Sequence, residues 1–317
     1  MLPDGSPCEI PSVLNPEKLF DGSRVIRDSA GNVLLKMPKH GYYFDHVYHP
    51  LKDAEGIEEL EKIDFYSSFN KSTLRELHRR TKNLYENTDY ALMLNGAGNI
   101  YEQAQNLRGW DTFILDLIRD PEFASLLLDK ILAASIKRLE QILPTVDGYI
   151  QVIQVGDDLG TQNGPQISPQ TYREIIKPRH KKLFQYIKNH SRSYLFLHTC
   201  GSIREFIPDF IEIGVDIINP VQVNARDMDT SELKEEFGEE ITFWGGGCDT
   251  QKILPFGTPR DVEKEVIQRI RDLAPGGGFV FAQVHNIQAG VPPENIMKMY
   301  NTVKKYGKYP LREKDSA

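Results

Sequence analysis

The chain has 317 residues, of which 40% are apolar and 26% charged, enough material for one large core, so a single domain is expected. A net charge of -7, with Lys and Arg scattered rather than gathered into blocks, argues against a surface that tracks phosphates, and nucleic acid is not expected as a partner. No apolar run approaches the roughly 18 to 20 residues needed to cross a bilayer, and the first residues lack the basic-then-apolar order of a signal peptide. A cytoplasmic protein with no membrane partner is expected.

Residues 1–65 are rich in Pro, Gly and Asp and read as an N-terminal arm, with a hairpin over 24–37 whose turn is Asp28 to Asn32; residues 66–317 read as the main domain. From there the pattern alternates. A helix is predicted over 73–85 and a buried strand over 90–95, closed by Gly96-Ala97-Gly98. Asp120-Pro121 supplies an N-cap and a first-turn proline for a helix whose apolar face runs through Phe123, Leu126, Leu127, Ile131 and Leu132. A strand over 149–155, a helix from Ser168-Pro169 and a strand over 194–197 follow. Ser202 and Glu205 have the spacing of a capping box for a helix that stops at Gly214, ahead of a strand over 215–218. A helix over 231–237, a strand over 241–244, a helix opened by Thr258-Pro259 with Asp261, a strand over 279–284 and a helix from Pro292-Pro293 complete the chain.

Strands that are apolar throughout and alternate strictly with helices predict a parallel sheet covered by helices. A doubly wound sheet and a TIM-type (β/α)8 barrel both have this pattern. The barrel is favoured because nearly every strand ends in a polar cluster, among them GDDLGTQ, HTCGS, NPVQ, GGGCDTQ and HNIQ, as if all the strand ends shared one site. In a doubly wound sheet only the crevice at the switch point carries such residues.

Three cysteines, Cys8, Cys200 and Cys248, are too few and too odd in number for a disulfide framework. Cys200 stands in His198-Thr199-Cys200 at a strand end, where alternation points His198 and Cys200 the same way. Imidazole and thiolate two residues apart suit a tetrahedral zinc ion, and His285, at the end of the last strand, is the candidate third ligand. The bland alternative is an imidazole bonded to backbone beside an inert thiol. Asp157 and Asp158 are candidate catalytic carboxylates, as a fourth metal contact or as an orienter of an imidazole; capping the next turn is the other reading. Gly245, Gly246 and Asp249 are candidates for contact with a cofactor or substrate at the same mouth, where Cys248 reads as a buried thiol. Neither Gly245 to Gly247 nor Gly276 to Gly278 has phosphate-loop spacing.

Several segments between Asp89 and Tyr306 resemble the uroporphyrinogen decarboxylase-like superfamily: Tyr101-Glu102-Gln103-Ala104 with Leu107-Arg108-Gly109, Asp120-Pro121-Glu122, Gly156-Asp157-Asp158, Thr258-Pro259, and His285-Asn286-Ile287 through Pro293-Glu294-Asn295. The superfamily includes the decarboxylase and zinc-dependent corrinoid methyltransferases. His198-Thr199-Cys200-Gly201 resembles the zinc motif of the methyltransferase branch, while His285 stands where that branch has a Cys and the decarboxylase a His. The resemblance implies a (β/α)8 barrel that binds zinc, receives a corrinoid carried by a partner protein, and methylates a thiol or similar small-molecule acceptor. Decarboxylation of a tetrapyrrole and a non-catalytic barrel subunit are the alternatives. The family's first strand precedes any segment that aligns here, so either an early strand pair lies within 1–65 or the barrel has an open edge, which would favour pairing into a homo-oligomer.

Overall fold

The computed structural model describes residues 16–28, 31–66 and 68–311; Cys8 lies outside them. The expected hairpin forms within a four-stranded antiparallel sheet of β1 (Glu17–Lys18), β2 (Arg24–Arg27), β3 (Val33–Met37) and β4 (Asp45–His46). Its turn is closed by Asp28, whose carboxylate accepts the Asn32 amide at 2.8 Å. Leu51 and Leu60, just downstream, are buried in the main core.

The remainder alternates as expected. Asn70 caps α1 (Lys71–Asn87), and β5 (Met93–Leu94) leads to α2 (Tyr101–Arg108), α3 (Trp110–Arg119) and α4 (Pro121–Val146). Asp120 caps α4 by accepting the Phe123 amide, and Phe123, Leu127, Ile131 and Leu132 are buried along it. After β6 (Val152–Gly156), α5 (Pro169–Thr171) runs through one π-turn into α6 (Lys177–His190). Next come β7 (Tyr194–His198), α7 (Ile207–Glu212), β8 (Ile217–Asn219), α8 (Thr230–Phe237), β9 (Thr242–Trp244), α9 (Ile253–Phe256), α10 (Pro259–Leu273), β10 (Phe279–Val280) and α11 (Pro293–Tyr306). No described helix is long and apolar enough to cross a membrane.

Two local expectations change. Thr258 and Asp261 form a reciprocal capping box, but Ser202 and Glu205 do not. Ser202 is drawn instead into the neighbouring loop, its amide donating to the Thr161 carbonyl at 2.8 Å, and the helix begins later with a tight turn at Arg204. The last strand keeps only two regular residues, although Gly247 N–H to Ala282 O and Val284 N–H to Cys248 O prolong its contact with the chain after β9.

The second sheet is parallel throughout and ordered β10-β9-β8-β7-β6-β5, each strand beside its predecessor in the chain. A doubly wound sheet reverses its strand order at a switch point; here the order never reverses, so the sheet curls and the helices cover its outer face. The fold is α/β, a curled parallel half-barrel of the TIM-like kind. Among the described residues β5 and β10 each pair on one side only, and the sheet does not close.

Period-2 alternation divides the strands cleanly. Ile153, Val155, Leu195, Leu197, Ile218 and Phe243 point outward into the main core beneath the helices. Val152, Phe196 and Ile217 point inward and pack with Met93 and Trp244 as a separate apolar floor. Above that floor, at the C-terminal strand ends, the inward positions are Gly156, His198 and Asn219, aligned in register across β6, β7 and β8.

Candidate metal centre

The site is built on this top layer. Gly156 faces His198 across the ladder, and a Cβ there would sit in ordinary contact, 3.7 Å from the His198 Cβ. His198 Nδ1 lies 2.6 Å from Asn219 Oδ1, and Asn219 donates its amide to the Trp244 carbonyl at 2.8 Å. Nδ1 therefore carries the proton and Nε2 presents a lone pair to the mouth.

Past the strand ends, the chains leaving β6 and β7 stay together. Asp157 N–H bonds His198 O, Gly160 N–H bonds Cys200 O, and Ser202 N–H bonds Thr161 O. Gly201 has φ +89°, and a Cβ on it would lie 2.4 Å from the Gly160 carbonyl carbon; only glycine at 201 permits the approach. The paired loops bring Asp158 to Cys200, whose amide donates to Asp158 Oδ1 at 2.7 Å. Cys200 Sγ is 3.4 Å from His198 Nε2, and Asp158 Oδ1 is 3.9 Å from the same nitrogen. One donor atom from each of Asp158, His198 and Cys200 lies within 4.8 Å of the others, and all three residues are half-buried.

His285 stands outside that grouping but beside it. Burial, with the neighbouring His198 second, holds its imidazole below the usual range, and Asp158 opposes the shift. Its Nδ1 is 3.3 Å from the hydroxyl of Tyr43, whose ring meets the imidazole edge-on, and Gln288 donates to the same hydroxyl at 2.9 Å. The N-terminal arm thus reaches over the mouth between β3 and β4.

The two adjacent aspartates part company. Asp157 is 2% exposed, and its carboxylate accepts the amides of Ile100 and Glu102 at 2.9 and 2.8 Å and contacts His180 Nε2 at 2.8 Å. Behind it, the Tyr172 hydroxyl lies 3.3 Å from His180 Nδ1. This buried chain anchors the start of α2 to β6 and α6, while Asp158 alone of the pair joins the cluster. Gly245, Gly246 and Asp249 meet protein atoms. A Cβ on Gly245 would lie 2.1 Å from the Pro220 carbonyl oxygen, one on Gly246 would meet Val221, and buried Asp249 accepts the Gln251 amide at 2.7 Å. Cys248 is fully buried and donates to Glu265 at 3.5 Å.

Glu102 and Tyr43 are the residues sequence reasoning missed. Glu102 was visible only as part of a motif, and Tyr43 only as one ring in the His- and Tyr-rich run from His40 to His49. Burial, then the charges of Asp157 and Asp158, push the Glu102 carboxyl up to about 8. The Cys200 thiol is pushed far up by burial first, then by Asp158 and Glu102. Asp158, Glu102 and Cys200 thus share one half-buried mouth, and no described Lys or Arg figures among the groups that act on Cys200. A divalent cation is the group that such a set of S, N and O donors fits, with zinc preferred where thiolate and imidazole meet.

The comparisons with known proteins place the chain. The family model described as uroporphyrinogen decarboxylase (URO-D) matches residues 32–306. The chain belongs to the uroporphyrinogen decarboxylase family. The match reaches upstream of the resembling segments, to the start of β3. Among relatives of this family, the uroporphyrinogen decarboxylase of Synechocystis sp. is 23% identical over 307 residues, covering 92% of this chain and 81% of that one. The methylated-thiol–coenzyme M methyltransferase of Methanosarcina mazei is 26% identical over 133 residues, 41% of this chain and 32% of that one. A solved methyltransferase structure from Methanosarcina mazei superposes with a TM-score of 0.60 at 17% identity, covering 84% of this chain and 74% of that one, and shares the fold.

Two outcomes follow for the metal-free protein. Asp157→Ala strands two amides and a buried imidazole and is expected to cost about 3 kcal/mol, read as a lower denaturation midpoint, with Asp158→Ala costing clearly less. Glu102 has a folded-state pKa near 8 against 4.5 unfolded. The folded state therefore holds the extra proton between those values, and the group's penalty grows as pH rises through that window. Glu102→Gln is expected to leave the melting temperature unchanged near pH 4 and raise it relative to the parent increasingly toward pH 8.

Proposed function

We propose that the chain is a zinc-dependent methyltransferase that moves a methyl group between a corrinoid on a partner protein and a thiol or similar small-molecule acceptor. The observation that carries this reading is the grouping of Asp158, His198 and Cys200 at the common end of the parallel strands. His198, Cys200 and Asp158 would hold the metal, with His285 beside them as the fourth candidate. Bound zinc supplies the positive charge that keeps Cys200 and an incoming thiol deprotonated near neutral pH.

The chain's own residues set up the rest. Asn219 fixes the tautomer of His198 so that Nε2 faces the mouth, and Asp158 fixes the Cys200 loop by accepting its amide. Tyr43 contacts the His285 ring and Gln288 holds the Tyr43 hydroxyl in place. A thiolate held at this mouth would be the nucleophile, and the corrinoid, when bound, would supply the methyl group and take back the electron pair of the bond that breaks.

Decarboxylation of a tetrapyrrole is the second reading, favoured by the near full-length similarity to a decarboxylase. That reaction needs cations for the substrate carboxylates, and the groups crowding this mouth are acidic. With zinc, methylcobalamin and a thiol in excess, the methylcobalamin spectrum is expected to convert to that of cob(I)alamin under anaerobic conditions, and Cys200→Ala to reduce the rate to background. Formation of coproporphyrinogen from uroporphyrinogen at a rate indifferent to Cys200→Ala would instead establish the decarboxylase.

A further inference from the structure

A cavity of about 610 Å³ opens beside the cluster, within the usual size range of small-molecule sites. Two of its lining residues tie it to the metal ligands: His285, and Gln222, whose side-chain oxygen accepts the amide of Gly201 next to Cys200 at 2.9 Å. Tyr43 roofs it from the N-terminal arm, Phe256 contributes an exposed ring, and Gln251 and Gln288 add amides. The amides continue as a network: Gln222 donates to Gln162 at 2.8 Å, Gln162 donates to the Asn224 carbonyl, and Asn224 donates to Gln251 at 2.7 Å.

None of the fourteen described residues that line the cavity is Asp, Glu, Lys or Arg. Lys252, next in the chain to Gln251, is exposed and is not among them. A sulfonate or carboxylate placed here would lose water without gaining a cation, and an ammonium would gain no carboxylate from the walls. Amides and aromatic rings recognise uncharged polar and apolar groups instead.

We infer that the small molecule taken by this site is an uncharged thiol, selected by amide hydrogen bonds and an aromatic contact rather than by charge. The inference rests on the methyl-transfer reading and narrows it, setting this chain's acceptor apart from an anionic thiol.

The test uses the full chain loaded with Co(II), whose thiolate charge-transfer absorption reports a thiol arriving at the metal without any need for turnover. Titration with 2-mercaptoethanol, 2-mercaptoethanesulfonate and 2-aminoethanethiol compares one neutral and two charged thiols of similar size. The apparent Kd is expected to be lowest for 2-mercaptoethanol, by about tenfold or more. Gln288→Arg is expected to tighten the sulfonate selectively. Equal or tighter binding of either charged thiol to the parent protein would overturn the inference. Absence of a Cys200-dependent cobalt spectrum before any thiol is added would count against the metal reading instead; calorimetric titration of the same three compounds onto the metal-free protein then decides the charge preference by the same ranking.

Discussion

The hydrogen bond from the Cys200 amide to Asp158 is the contact on which the site depends. A strand pair normally releases its chains at the end of the ladder, and the loops diverge. Here β6 and β7 keep bonding beyond their last residues, through Gly160 and Ser202, because two glycines let the backbones touch. Cys200 is thereby held opposite Asp158 and above His198, on a layer whose floor is the apolar group of Val152, Phe196 and Ile217. The candidate metal donors inherit their geometry from a backbone ladder, a stiffer support than a free loop.

That geometry creates an electrostatic demand. Desolvation pushes the Glu102 carboxyl and the Cys200 thiol up, and each acidic neighbour adds to the shift. Among the described residues no Lys or Arg figures among the groups that act on Cys200. A bound divalent ion inverts the balance by favouring every deprotonated donor at once. The cavity next door differs in character: none of its described lining residues is Asp, Glu, Lys or Arg, whereas the acidic groups gather at the candidate metal cluster.

Much of this was legible in the sequence. Alternation along 194–198 set His198 and Cys200 on one side, and the polar strand ends pointed to a shared mouth; both readings depend on local periodicity, which a single strand expresses. Strand order does not, so the half-barrel could be separated from a doubly wound sheet only by weighing which loops were polar. Asp157 and Asp158 could not be told apart, because alternation lapses where the chain leaves the strand and the outcome depends on His180, on another helix. Tyr43 reaches His285 across 242 residues of sequence, a contact no spacing rule reports. Gly245 read as room for a ligand, whereas the close approach it serves is to Pro220 of the neighbouring loop.

The coordination shell of bound zinc tests the central claim most directly. X-ray absorption at the zinc edge of the loaded protein is expected to show one sulfur at about 2.3 Å with nitrogen and oxygen donors filling the remainder, and to lose the sulfur in Cys200→Ala. Zinc that fails to bind near stoichiometry, or a sulfur shell that survives removal of Cys200, would contradict the assignment of the metal to Asp158, His198 and Cys200.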